Sequence, residues 1–271
     1  MKVRTPRLLM LALSCLWLCD GHAQVIDFTQ VRWVDLTHDF DEQAVYWPTA
    51  RLFKKETVFE GVTDGGFYYT AYNLSTAEHG GTHMDAPIHF FEGRQTAEQV
   101  PLERLIGSAL VIDVTAQAAE NPDYALDPAA IEAWEAEHGK IQAGEIVLVR
   151  TGYARFWPFS EFYLGTAERG EDAVPMLHFP GVGTEAARLL VERSVAAVGL
   201  DTASVDRGQS TEFMTHRILF EANIPGFENV ADLSSLPPRG AFVVALPMKI
   251  RGGSGAPLRI TAFVPGDSAD K

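Results

Sequence analysis

Three of the chain's eight histidines fall within eleven residues, in the run Glu78-His79-Gly80-Gly81-Thr82-His83-Met84-Asp85-Ala86-Pro87-Ile88-His89-Phe90. Gly80, Gly81 and Pro87 disfavour a regular helix there. In an extended chain, residues two or four apart face the same way. On that geometry His79, His83 and Asp85 converge on one side, two imidazoles and a carboxylate aimed at a common point. The set suits a borderline divalent ion such as zinc, manganese or iron and is a poor one for calcium. Three protein ligands also leave positions for water and substrate, as a catalytic site requires. A lone His-x-Asp is ordinarily a surface pair or a hydrogen-bonded loop. Four chelating side chains at spacings 4, 2 and 4 in a glycine-rich turn are much harder to dismiss.

The chemistry follows from these groups. A divalent ion lowers the pKa of a bound water to about 7 and polarises a carbonyl. His89, just beyond the proposed ligands, is placed to act as general acid and base, and an imidazole suits that task near neutral pH. No serine or cysteine nucleophile is signalled, because the chain has no G-x-S-x-G elbow. Aromatic residues crowd the motif in sequence, and Trp47, Phe67 and Tyr69 are candidates to stack on a planar ligand. His138 and His178 stand apart from the histidine cluster and are expected to be surface or structural residues, and Gly252-Gly253-Ser254-Gly255 lacks the lysine of a phosphate loop and is expected as a flexible turn at the site mouth.

The elements that must position this cluster alternate along the chain. Strands are expected at residues 31–36, 68–74, 109–114, 145–151, 195–200, 242–246 and 258–264. Asp127 and Pro128 open a helix through His138 that Gly139 closes, and further helices are expected from Thr184 to Glu192 and around 215–222. Strands alternating with helices predict an α/β domain with a mixed β-sheet flanked by helices. No linker, charge block or repeat marks a second domain, so residues 24–271 are expected to fold as one.

The front of the chain sets the expected compartment. Lys2, Arg4 and Arg7 precede an apolar run from Leu8 to Leu18, and Gly21-His22-Ala23 offers a cleavage site, so residues 1–23 read as a signal peptide. The protein is then expected to be exported, periplasmic or secreted. Both cysteines, Cys15 and Cys19, lie in that segment, so the mature chain can build neither a disulfide nor a thiolate metal site. Cleavage removes three basic residues and one acidic one, leaving 19 Lys+Arg against 35 Asp+Glu, a formal charge of −16. That excess disfavours nucleic acid and anionic membrane as partners.

The run His79-x-Gly81-Thr82-His83-x-Asp85-x-Pro87-x-His89-Phe90 resembles the signature of the cyclase family of metal-dependent hydrolases, which includes kynurenine formamidase and isatin hydrolase. Asp35-Leu36-Thr37-His38, Trp47-Pro48, Gly199-Leu200-Asp201-Thr202-Ala203-Ser204, His216 and Glu228-Asn229 resemble its other blocks, so the similarity covers most of the mature chain. The resemblance implies a swivelling β/β/α fold, a homodimer, and Mn2+ or Zn2+ held by His79, His83 and Asp85, with His89 as acid/base. It also implies that His216 and Glu228 either hold a second ion or support the first. The implied substrate is a small aromatic amide or lactam. Length, the export signal, residues 200–204 and Pro247-Met248-Lys249-Ile250 place the chain nearer the isatin-hydrolase branch, which opens a lactam to isatinate. The alternative is an arylformamidase acting on N-formylkynurenine.

Two other assignments fit parts of this pattern. His83-x-Asp85 with a distant His216 imitates the facial triad of an Fe(II) oxygenase, although the well-capped helices argue against the usual jelly-roll scaffold. A non-catalytic periplasmic metal- or ligand-binding protein would explain the export signal and the ligands, but would leave His89 without a task.

Overall fold

The computed structural model describes residues 31–265; the expected signal peptide lies outside the described residues. The chain runs β1 (Val31–Asp35), β2 (Lys54–Val62), β3 (Tyr68–Ser75), β4 (His83–Asp85), α1 (Leu102–Leu105), β5 (Ile106–Asp113), α2 (Thr115–Glu120), β6 (Ala125–Leu126), α3 (Pro128–His138) and β7 (Ile146–Arg150). It continues through α4 (Ser160–Tyr163), β8 (Gly181–Val182), α5 (Thr184–Glu192), β9 (Ala197–Leu200), α6 (Met214–Glu221), β10 (Gly226–Glu228), β11 (Arg239–Pro247) and β12 (Gly255–Pro265).

Eight strands form one mixed sheet in the order β1, β12, β11, β5, β7, β9, β10, β4. Because β4 also pairs with β12, the sheet curls round and closes like a barrel. Strands β5, β7, β9 and β10 are parallel, and the others are antiparallel to their neighbours. Side chains of the parallel strands alternate between two cores, as a period of two demands. Ile146 and Leu148 of β7 enter a core with Met84, Phe227 and Ile260, whereas Val147 and Val149 pack against Ile131, Leu190 and Phe220 from α3, α5 and α6. Burial on both faces is why β5 and β7 read as nearly continuous apolar runs.

The helices follow local chemistry. Asp127 caps α3 by accepting from Ala130 N at 2.8 Å, Pro128 fills its first turn, and Gly139 leaves it at φ +87°. Arg239 then donates to the carbonyls of His138, Gly139 and Lys140, satisfying the last turn. For α5 the expected start at Thr184 holds, but Gly183 occupies the cap position and offers no side chain. Among the described residues no helix is long and apolar enough to cross a membrane.

Candidate metal centre and active site

Strand β4 is three residues long and lies between β10 and β12. Its register puts His83 opposite Glu228, and Asp85 opposite Gly226 on one side and Gly255 on the other. Directly paired residues share a face of the sheet. His83, Asp85 and Glu228 therefore point together, while Met84 and Phe227 turn to the core behind them. Glycines on either side of Asp85 leave the space into which its neighbours reach. Before the strand, Gly81 adopts φ +58° and turns the chain so that His79 comes back over it. Beyond it, Pro87–His89 forms a single 3-10 turn that sets His89 above the same carboxylate.

All three expected ligands meet at Asp85. Its Oδ1 lies 2.6 Å from His79 Nδ1 and 3.1 Å from His83 Nε2. Its Oδ2 lies 3.2 Å from His216 Nε2 and 4.0 Å from His89 Nε2. Glu228 closes the far side, with Oε2 3.3 Å from His83 Nε2 and Oε1 3.2 Å from His216 Nε2. His83, Asp85, His216 and Glu228 are each at most 4% exposed. His89 stacks on His79 with ring centroids 3.8 Å apart.

The outer nitrogens of these imidazoles determine what the inner ones offer. His83 Nδ1 faces the Gly81 carbonyl at 3.0 Å, which can only accept, so its Nε2 carries the lone pair when the ring is neutral. That Nε2 is buried, takes no hydrogen bond and looks at two carboxylates, the environment of a cation ligand. His216 Nδ1 donates to Asp206 at 2.6 Å. Asp206 also accepts from the backbone N–H groups of Thr215 and His216, capping the start of α6. Burial opposes charge on His83, yet the negative charge of the Asp85 and Glu228 carboxylates facing its Nε2 outweighs it and raises its pKa to about 10. The same contest raises His216 well above its ordinary value. Burial pushes the Asp85 carboxyl up, but His79, His216 and His83 hold it well below the usual range. Such a cluster attracts positive charge, and its mixed nitrogen and oxygen donors fit a divalent transition ion. His89 differs: burial lowers its pKa to about 4 against the pull of Asp85, leaving it neutral and able to accept a proton.

The cluster forms the floor of a cavity of about 320 Å³. Trp47, Phe90 and Phe213 build its aromatic wall, with Val45, Tyr46 and Ala203 beside them. Phe213 sits in the left-handed region at φ +51°, a strained setting for a bulky residue, and packs 5.1 Å from Phe90. Trp47 lies where the sequence suggests, but Phe67 and Tyr69 do not. They are 62% and 50% exposed on the β2–β3 hairpin, a two-stranded sheet separate from the main one, and take no part in lining the cavity. Nearness in sequence misleads here because the hairpin carries them away from Trp47, Ala50, Ala77, His79 and Gly80, which do line it. The turn at 252–255 also departs from expectation, being pinned rather than loose: Gly252 N donates to Glu98, while Gly253 O and Ser254 O accept from Ala97 N and Ala86 N. His178, isolated in sequence, pairs with Asp123 at 2.9 Å away from the site. Asp206 and Phe213 carry no signal in their spacing and join the site only through the fold, whereas Ser204, which also lines the cavity, lies in a block that resembles the family.

Residues 34–207, well over half of the chain, match the family model described as "Putative cyclase". The chain belongs to the cyclase family. An isatin hydrolase of Roseibium aggregatum is 33% identical to this family member over 262 residues, spanning 92% of this chain and 94% of that protein. A kynurenine formamidase of Salinibacter ruber is 30% identical over 190 residues, or 69% of this chain and 76% of that protein. Among solved structures, isatin hydrolase A from Labrenzia aggregata bound to benzyl benzoate superposes with a TM-score of 0.79 at 34% identity, covering 88% of this chain and 95% of that one. The single domain with its mixed, barrel-like sheet and flanking helices is thus the architecture of the cyclase family.

Proposed function

We propose that this cyclase-family protein is a metal-dependent amidohydrolase that opens a small, uncharged aromatic lactam of the isatin type. One observation carries this. Four imidazoles and two carboxylates meet on the floor of an aromatic-walled cavity whose lining, among the described residues, contains no lysine or arginine. A flat neutral arene suits that wall. N-formylkynurenine carries an α-carboxylate that would need a cationic partner, and the wall supplies none. The isatin hydrolase relative supports the same choice.

His79, His83 and Asp85 would hold a Mn2+ or Zn2+ ion, with His216 and Glu228 completing or supporting the set. When bound, the ion supplies Lewis acidity, activating water and polarising the amide carbonyl. His89, stacked on His79 and facing the cavity, takes the proton released as water oxygen bonds to the carbonyl carbon. It returns that proton to the nitrogen as the C–N bond breaks, because an unprotonated amide nitrogen leaves poorly. The products are an aryl amine and a carboxylic acid on one molecule whose lactam ring has opened, and the acid ionises to carboxylate by releasing its proton. Trp47, Phe90 and Phe213 keep the arene fixed over the cluster while this happens.

Purified protein supplied with manganese is expected to bleach the visible absorbance of isatin, and chelation is expected to stop it. Absence of isatin turnover beside rapid loss of N-formylkynurenine would replace this function with the arylformamidase.

The same proposal includes export, on the strength of residues 1–23, and a homodimer. Val62, Phe67, Tyr68 and Leu74 stand more than 60% exposed on the β2–β3 hairpin. A lone hairpin of two strands is marginal by itself, and a clustered apolar surface commonly marks an interface. A monomer mass in light scattering would remove the dimer from this account.

A further inference from the structure

His79 is anchored unlike the other two imidazoles. His83 is fixed by a backbone carbonyl and His216 by a carboxylate, acceptors that leave one choice of outer proton. His79 Nε2 instead faces the hydroxyl of Ser254 at 2.8 Å, and a hydroxyl can donate or accept. Glu78 resolves that ambiguity. Its Oε2 receives both the Ser254 backbone N–H at 3.0 Å and the Ser254 O–H at 2.7 Å. With its proton committed to Glu78, the hydroxyl presents a lone pair to His79 and accepts from Nε2–H. Nδ1 is left unprotonated where it faces Asp85 Oδ1 at 2.6 Å.

The backbone holds this relay rigidly. Ala86 N donates to Ser254 O and Ala97 N to Gly253 O, each at 2.9 Å. We propose that Ser254 and Glu78 are positioning residues that together hold His79 in the tautomer presenting Nδ1 to the divalent ion. The proposal rests on the metal-hydrolase function above and extends its machinery by two residues. Partners of this kind behind a metal-binding histidine typically change affinity by about 10- to 100-fold when removed.

The test measures metal binding and coordination rather than turnover. Mn2+ affinity is titrated by electron paramagnetic resonance, the visible spectrum is recorded with Co2+, and stability is followed in urea without added metal. Ser254→Ala and Glu78→Ala are each expected to weaken Mn2+ binding about tenfold or more and to shift the Co2+ bands, at a urea midpoint near that of wild type. Glu78→Gln keeps an acceptor oxygen for both Ser254 donors and is expected to stay within about twofold of wild type. Unchanged affinity and spectrum in both alanine variants would overturn the proposal, as would a loss of affinity that merely tracks a loss of stability. Should Ser254→Ala fail to fold, Glu78→Ala decides alone, since its side chain is only partly buried. A wild-type protein that binds neither Mn2+ nor Co2+ would instead overturn the metal-hydrolase function itself.

Discussion

Adding one methyl group at Gly255 is expected to damage the metal centre more than the fold. A Cβ built there would sit 2.5 Å from His79 Cε1, 2.7 Å from Met84 O and 3.0 Å from His79 Nδ1. Carbon atoms rest about 3.5–4.0 Å apart, so the ring or the start of β12 must retreat by about 1 Å. The ring has little freedom, being stacked on His89 at 3.8 Å, hydrogen-bonded to Ser254 at 2.8 Å and set 2.6 Å from Asp85 Oδ1. Overpacking of this size costs about 1–3 kcal/mol of stability. A displacement of about 1 Å at a catalytic centre can cost about 100-fold in rate. Gly255→Ala is therefore expected to remain folded in urea melts, to bind Mn2+ about tenfold more weakly or worse, and to lose at least as much in kcat/KM. Gly107→Ala is the matched control, since its Cβ would meet only Gly144 O at 3.6 Å. A Gly255→Ala protein with wild-type affinity and turnover would refute the claim that this strand start fixes His79.

Three other outcomes are expected. His89→Ala should retain its metal content while turnover falls by about 100-fold or more, and unchanged turnover would point to a binding protein instead. Trp47→Ala should raise KM for an aromatic substrate, whereas Phe67→Ser, remote from the cavity, should leave KM within about twofold at a protein concentration where the oligomeric state is held constant; the reverse pattern would refute the assignment of the wall. Glu135 accepts from Arg193, Lys140 and Ile141 N, and Arg193 foremost lowers its pKa from 4.5 to about 2. A depressed carboxyl stabilises the fold above pH 4.5 and loses that contribution as pH falls toward 2, so up to about 3 kcal/mol should vanish across that window. Glu135→Gln should be less stable at pH 7 and flatter in acid, as checked by urea unfolding at several pH values.

Much of the fold was legible because its signals are local. Helix α3 is written in Asp127, Pro128 and Gly139, whose effects on the backbone need no distant partner. Strands β5 and β7 announce themselves by apolar runs, because both of their faces are buried. By contrast β4 and β10 are three residues each, too short to show a period, and β2 is rich in charge because its side chains are largely exposed. The aromatic residues of β3 were visible, but the direction in which the hairpin carries them was not.

The sequence by itself determined the donor types, their crowding between Glu78 and Phe90, and the glycines that let the chain turn there. Spacing of two along a strand was enough to place His83 and Asp85 on one face. Which groups oppose them is invisible to spacing: the family resemblance names His216 and Glu228, and tertiary structure brings them into place. The pairing of β4 with β10 brings Glu228 across from His83 over a separation of 145 residues, and the packing of α6 delivers His216 with Asp206 behind it. Strand register and helix docking depend on how whole layers bury their apolar faces, a property of the assembled core that no short stretch of residues contains.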